Sequence, residues 1–169
     1  AGTYYYYAVL SFSGSGCGAI TSALAQVDVI NDPVVTSQPI TPQTLCQTTA
    51  ASPLNVTVTG GIGTSYSYQW YSNVANSTTG GILLTGETNS TFTPPTVIAG
   101  TLYYYCVITQ ANGSGCGVTS ATAVVTVNLA PAIASQPSAS TLCLGGVPTP
   151  LTVTYSNGAG TPNYQWYTN

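Results

Sequence analysis

The chain has 169 residues, of which three are acidic and none is lysine, arginine or histidine, so its formal net charge is −3. Without cations it has no basic surface to attract the phosphate backbone of a nucleic acid. It also has no histidine or lysine for acid–base chemistry or a Schiff base, so we expect no catalytic residue, no cofactor site and no enzyme. No stretch offers the roughly 18 apolar residues of a membrane-spanning helix, so we expect no membrane insertion.

Short motifs recur along the chain in the same order, at offsets of 96 to 99 residues. The first segment contains GTYYY near its start and GSGCG around Cys17, and both motifs return as GTLYY from Gly100 and GSGCG around Cys116. The motifs QP, TLC and YQWY each occur twice as well. Five anchors in one order predict tandem domains. We place the C-terminal part of one repeat at 1–32, a complete repeat at 33–129 and the N-terminal part of the next at 130–169.

The complete repeat has the composition of β-strands, because apolar residues alternate with threonine and serine and no helical period is present. Its length of about 97 residues suits a small sandwich of about seven strands. The fold class that we predict is therefore all-β, with tandem immunoglobulin-like β-sandwiches. The short joins at 31–33 and 128–131 both carry a proline, so we expect stiff linkers. The predicted strands are 34–37, 54–59, 65–72, 82–84, 90–93, 102–110 and 118–127, with a hairpin loop at 111–115.

The runs of tyrosine are explained by strand geometry, in which alternate residues share a face. Trp70 in the third strand, and Tyr104 placed two residues before Cys106, form the core signature of an immunoglobulin-like domain, with Tyr104 in the tyrosine-corner position. The intervening tyrosines then point outward. They form, with Tyr71, a set that we call the outer tyrosine face: Tyr5, Tyr7, Tyr71, Tyr103 and Tyr105. This face either pairs tyrosines across strands or contacts a partner.

Five cysteines favour a secreted setting in which disulfides form. Cys106 lacks its usual partner, because Val58 occupies the position where an antibody-type domain has its second-strand cysteine, and its counterpart in the first copy is Ala8. The TLC and GSGCG cysteines recur in both visible copies. We therefore predict a Cys46–Cys116 disulfide, which would stabilise the domain by roughly 3–5 kcal/mol, and a buried Cys106 thiol. The alternative is a Cys46–Cys106 bond with Cys116 left as a thiol.

Asp28, Asn31 and Asp32 lie at the first join, where some extracellular modules bind calcium. Calcium requires about six to eight oxygen ligands, usually with several carboxylates, and the second join at 127–130 has no acid. We predict no metal site.

The motifs TLC, YQWYSN, NSTTGG, TPPT, GTLYYYC and GSGCG resemble the immunoglobulin-like repeats of very large secreted surface proteins of Bacteroidota, of the SprB-like gliding-motility adhesin type. The resemblance covers essentially the whole chain. It implies export by the type IX secretion system, attachment at the outer cell surface, and a long adhesive filament that reaches the substratum. It also implies contact with the secretion and motility machinery.

Three functions follow as hypotheses. The leading one is a structural stalk repeat of a cell-surface adhesin filament, whose partners are the neighbouring repeats of the same chain. The second is a binding module that holds a surface polysaccharide or a protein on the outer tyrosine face. The third is a self-assembling subunit of an extracellular fibre.

Overall fold

A computed structural model describes residues 1–14, 16–110 and 115–169. Within these ranges the secondary structure is all-β, and no described segment is a helix long and apolar enough to cross a membrane. The strands are β1 (Gly2–Tyr6), β2 (Val9–Leu10), β3 (Ile20–Thr21), β4 (Ala25–Val29), β5 (Pro33–Ser37), β6 (Gln43–Cys46), β7 (Leu54–Asn55), β8 (Thr57–Gly60), β9 (Ser67–Asn73), β10 (Ile82–Leu83), β11 (Thr91–Phe92), β12 (Gly100–Thr109), β13 (Gly117–Thr119), β14 (Ala123–Asn128), β15 (Ala132–Ser135) and β16 (Thr154–Ser156).

The main sheet has the strand order β10-β9-β12-β14-β6, and β13 pairs with the remaining length of β12. All of its pairs are antiparallel except β14 with β6, which run parallel. The opposing layer consists of β5 paired with β8 and of β7 paired with β11. Only Val56 separates β7 from β8, and its backbone N–H donates to the Ser90 carbonyl at 3.0 Å.

The core between the two layers contains Trp70, which is fully buried, and the apolar residues that alternate along the facing strands. The Trp70 ring lies 5.6 Å from that of Phe92, and its Nε1 donates to the Asn89 carbonyl at 2.9 Å. The remaining members of the core cluster are Leu54, Val56, Val58, Tyr104, Cys106, Ile108, Ala123, Val125 and Val127. The region 33–129 is therefore a β-sandwich with one hydrophobic core.

The predicted strands agree with the structure in type, and most differ by a few residues at their ends. Three differences are larger. The predicted strand 54–59 is divided at Val56 into β7 and β8, which pair with different strands. The predicted strand 118–127 is divided into β13 and β14, because the Ser120 hydroxyl bonds the N–H of Cys106 at 2.9 Å and the carbonyl of Ala121. Strand β6 has no counterpart among the predicted strands. The predicted hairpin loop 111–115 lies outside the described residues, apart from Gly115.

Strand registers recur along the chain at the offset of the sequence motifs. The pair β1–β4 matches Gly2 with Val29, and the equivalent pair β12–β14 matches Gly100 with Val127. The pair β15–β16 repeats the register of β5–β8, including the irregularity before its last residue pair. Even the serine contact recurs, since the Ser22 hydroxyl accepts from Ala8 N–H at 2.9 Å as Ser120 does from Cys106.

The sandwich has two poles, which lie at the two ends of β12. The last residue of β12, Thr109, pairs with Gly117 and Ser67. We call this end of the sandwich the entry pole; it is formed by Pro33, the loop Gly60–Gly63, Gln110 and Cys116. The first residue of β12, Gly100, pairs with Val127 at the opposite end, the exit pole, which is formed by Cys46, Gly100, Val127 and Asn128. Ten strand residues separate the poles by roughly 30 Å.

Candidate functional site: the outer tyrosine face and the two poles

The outer tyrosine face contains a stacked aromatic pair. Tyr71 and Tyr105 stand directly opposite each other on β9 and β12, with ring centroids 5.2 Å apart and planes at 7°. Such a pair stabilises two neighbouring strands by a fraction of a kcal/mol to about 1 kcal/mol. The structure therefore contains the cross-strand pairing that was one of the two interpretations of this face.

Tyr105 is not available as a contact residue, so its prediction as an exposed member of the face is wrong. It is only 3% exposed, because the segment before β10 lies over its ring. A side chain at Gly81 would place Cβ 2.6 Å from the Tyr105 hydroxyl oxygen, so the close approach requires glycine. Tyr71 and Tyr103 are half-buried. Tyr5 lies on β1 near the start of the chain and Tyr7 follows that strand, and both are exposed.

The three residues of the core signature lie in the core. Trp70 and Cys106 are fully buried and Tyr104 is 2% exposed, with the Tyr104 ring 5.3 Å from Phe92. Burial raises the pKa of the Cys106 thiol to about 11. The thiol is therefore protonated at neutral pH, and Cys106 packs within the core cluster.

The predicted Cys46–Cys116 disulfide is wrong within this chain. Strand β6 does run beside the last strand, as the bond would need, but its register pairs Cys46 with Asn128 at the exit pole. Cys116 lies at the entry pole, where its carbonyl accepts from the Gln110 N–H at 3.1 Å. The alternative Cys46–Cys106 bond is absent as well, because Cys106 lies in the core midway along β12. A disulfide needs Cα atoms within about 7 Å.

Gln110 holds the entry-pole loop from inside. Its side chain is buried, its Oε1 accepts from Ile62 N–H at 2.9 Å, and its Nε2 donates to the carbonyls of Ile62 and Gly63 at 3.1 and 3.2 Å. The loop passes so close that a Cβ at Gly61 would lie 1.9 Å from Oε1. The loop Gly60–Gly63 is thereby fixed next to the backbone that leads to Cys116.

The exit pole is organised by Gln47, the residue after Cys46. Its N–H donates to the Asn128 carbonyl at 2.9 Å, its Oε1 accepts from Ala130 N–H at 3.2 Å, and its Nε2 donates to the Val97 carbonyl at 2.9 Å. These three contacts fix the direction in which the chain leaves the sandwich.

The segment that follows contacts the same pole. Gly158 N–H donates to the Leu129 carbonyl at 3.0 Å. Cys46 lines one cleft of about 460 Å³ together with Pro131 and the loop Asn157–Gly160.

Asp28, near the first join, makes local contacts. The Asp28 carboxylate accepts from the Thr3 hydroxyl at 2.6 Å and from Gln26 Nε2 at 2.9 Å, and these hydrogen bonds lower its pKa. In the part of the chain that the structure describes, no three histidine, cysteine, aspartate or glutamate side chains come together as a possible metal site.

Residues 36–129 match the model of a protein family described as a domain of unknown function, DUF8696. The match covers more than half of the chain. The chain belongs to the DUF8696 family. A comparison with curated proteins finds no match. The matched DUF8696 region begins within β5 and ends one residue after β14, so it coincides with the β-sandwich and with the predicted repeat at 33–129 to within three residues.

Sequence reasoning missed the polar residues that organise this DUF8696 domain at its poles. Gln110 and Gln47 both follow a motif that sequence reasoning used, GTLYYYC and TLC respectively, yet neither was singled out. The only signal was a glutamine at the end of an apolar strand, which is common at surfaces. The loop carbonyls that make it structural come from positions about 50 residues away in the chain.

Proposed function

We propose that this chain is a structural segment of an extracellular stalk, built from tandem immunoglobulin-like DUF8696 domains that follow one another end to end. The observation that carries the proposal is that the polypeptide enters the sandwich at one pole and leaves it at the other. Pro33 pairs with Gly60 at the entry pole, and Asn128 pairs with Cys46 at the exit pole. Domains linked in this way extend in a line, because each adds its own length.

The exit join supports a stiff connection. Between Asn128 and Pro131 the chain has few free torsions, since proline fixes its own φ and Ala130 is held by Gln47. The Gly158–Leu129 hydrogen bond ties the next segment to the join itself. A linker with these contacts transmits orientation from one domain to the next.

The repeated strand registers support the tandem organisation. Residues 1–32 contain the equivalents of β12, β13 and β14, and residues 130–169 those of β5 and β8. Each flanking segment therefore has the pairing of the part of the DUF8696 domain that its sequence resembles. We infer that the chain carries parts of three successive repeats.

Attachment to surfaces, gliding motility, export by type IX secretion and location at the outer cell surface enter this proposal through the resemblance to adhesin repeats. A stalk role also suits a surface with no cation and little charge. The binding-module hypothesis is weakened, because Tyr105, the central member of the outer tyrosine face, is buried against its own domain.

Small-angle X-ray scattering of the chain tests the stalk. A compact globule of 169 residues would have a radius of gyration of about 15 Å. A rod of two to three strand lengths, about 60–90 Å, would have a radius of gyration of about 17–26 Å.

The matched control inserts six glycine and serine residues between Leu129 and Ala130. Its scattering should show a broader distribution of distances, because the join would no longer fix orientation. A value near 15 Å for the unmodified chain, or identical curves for the two chains, would contradict the stalk.

A further inference from the structure

We propose that consecutive repeats are joined by a disulfide that crosses the junction, from the TLC cysteine of one repeat to the GSGCG cysteine of the next. In this chain Cys46 is the first kind of cysteine and Cys116 the second. The inference rests on the tandem organisation proposed above. It concerns a covalent link that a stalk could have or lack.

The two cysteines lie at opposite ends of the sandwich. Cys46 lies at the exit pole, and Cys116 lies at the entry pole of the same sandwich. Roughly 30 Å of strand separates them. Two cysteines at opposite poles cannot pair within one domain, but each faces a junction with a neighbour.

The segment that follows the sandwich lies next to Cys46. The cleft at the exit pole is lined by Cys46 and by Asn157–Gly160 of the following segment. These four residues are the equivalents of Gly60–Gly63, because the flanking strands β15 and β16 repeat the register of β5 and β8. The entry-pole loop of the next repeat therefore lies against Cys46.

In a complete domain the entry-pole loop lies close to the GSGCG cysteine. Gln110 binds Gly60–Gly63 through its side chain, and its own N–H donates to the Cys116 carbonyl. Gln110 thus contacts both the GSGCG cysteine and the loop. Placed on the following repeat, the same geometry brings a GSGCG cysteine to the junction that holds Cys46.

The recurrence of the motifs agrees with this pairing. Every junction would use one TLC cysteine and one GSGCG cysteine, so both must be present in each repeat. Cys106 takes no part in a junction, and alanine stands at its equivalent, Ala8. Cys46 and Cys116 are both partly accessible, as an interdomain bond formed after folding requires.

The chemistry is thiol–disulfide exchange. The two thiols lose two protons and two electrons and form one S–S bond. A low-molecular-weight disulfide accepts the electrons, and its S–S bond is cleaved to two thiols.

The test uses the chain extended after Asn169 by a copy of its own residues 74–129. Asn169 is the equivalent of Asn73, so the extension completes the second domain with the matching part of the first. The extended chain is folded in a glutathione redox buffer, digested with pepsin without reduction, and mapped by mass spectrometry. We expect Cys46 linked to the appended copy of Cys116, with more than tenfold less of a Cys46–Cys116 link inside the first domain.

Two variants provide the controls. Cys116→Ser in the first domain should leave the link intact, whereas Cys46→Ser should abolish it. A folded extended chain in which Cys46 and the appended cysteine both remain thiols would overturn the proposal, and so would a dominant link between Cys46 and the original Cys116. Far-UV circular dichroism establishes that each variant is folded.

Scattering from the same chain in the same glutathione redox buffer separates this proposal from the stalk. If mapping finds no junction disulfide and the chain is extended, only the covalent link is refuted. If mapping finds no junction disulfide and the chain is compact, both proposals are refuted.

Discussion

Two similar stretches of sequence, GTYYY and GTLYYY, have different environments in this molecule. In β12 the GTLYYY strand lies between β9 and β14, and Tyr104 is 2% exposed. In β1 the GTYYY strand pairs, among the described residues, with β4 alone, and the equivalent residue Tyr6 is 58% exposed. The pairing with the strand that follows has the same register in both places.

The difference separates what a hairpin can do by itself from what a sandwich adds. Strand pairing is local, since β1 pairs with β4 within the first 32 residues. Burial is not local, because the ring that packs on Tyr104 is that of Phe92 in β11, and both residues belong to the core cluster of the sandwich. The pair β1–β4 therefore keeps its strand hydrogen bonds although its tyrosines are exposed.

The largest effect should come from removing the centre of the core. Trp70→Ala should destabilise the domain by about 3–5 kcal/mol, a large part of the stability of a small domain, because it leaves a cavity and removes the bond to Asn89. Urea unfolding followed by far-UV circular dichroism measures the loss. Trp166→Ala is the matched control, since Trp166 is 49% exposed, and should change stability by less than about 0.5 kcal/mol. Equal losses of stability in the two variants would mean that Trp70 and Trp166 do not differ in burial.

Two equivalent tyrosines test the comparison directly. Tyr104→Ala should cost about 3 kcal/mol, because the ring packs on Phe92 in the core. Tyr6→Ala should have little effect on the same urea transition, within about 0.5 kcal/mol. A cost for Tyr6→Ala that approaches the cost for Tyr104→Ala would show that the first segment has a core of its own.

The recurrent serine contact isolates burial at constant geometry. Ser120→Ala leaves the buried N–H of Cys106 without an acceptor and should cost about 2 kcal/mol in the same unfolding experiment. Ser22→Ala removes the same contact to Ala8, but water can replace the hydroxyl because the site is exposed, so we expect almost no change. Similar costs for both would indicate that the contact, and not its burial, determines stability.

The smallest effect concerns pH and the Cys106 thiol. Its pKa rises on folding from 9.0 to about 11, so between these pH values the folded state holds a proton that the unfolded state has lost. Stability should therefore fall as pH rises through this window, by an amount on the order of 1–2 kcal/mol from this group.

Cys106→Ala is the control, because alanine occupies the equivalent position in the first segment. Its stability should fall less steeply between pH 9 and 11, with the remaining slope due to buried tyrosines such as Tyr104, whose pKa is also raised by burial. Identical slopes for the two proteins would mean that the thiol ionises equally in both states.

Much of the fold could be predicted because it depends on alternation within a strand. The period of two along β12 correctly placed Tyr104, Cys106 and Ile108 in the core. The family match and the sandwich coincide with the repeat that motif spacing predicted. These properties are encoded locally or by simple recurrence.

The errors came from contacts between distant segments. Tyr105 is on the outer face as predicted, but its cover is supplied by the loop at Gly81, which alternation cannot reveal. The disulfide depended on which end of β14 receives β6, and recurrence of a motif contains no information about that register. The cover of Tyr105 and the register of β6 can both be read only from the three-dimensional structure.

The parallel pairing of β6 with β14 has a consequence for mechanical load. A chain pulled from its two poles draws the N-terminal strands toward the entry pole and β14 toward the exit pole. The four residue pairs between β6 and β14 then resist in shear, so their hydrogen bonds must break together and not one after another as in an unzipping hairpin. A tethered domain with this geometry would yield at high force, even where its thermodynamic stability is modest.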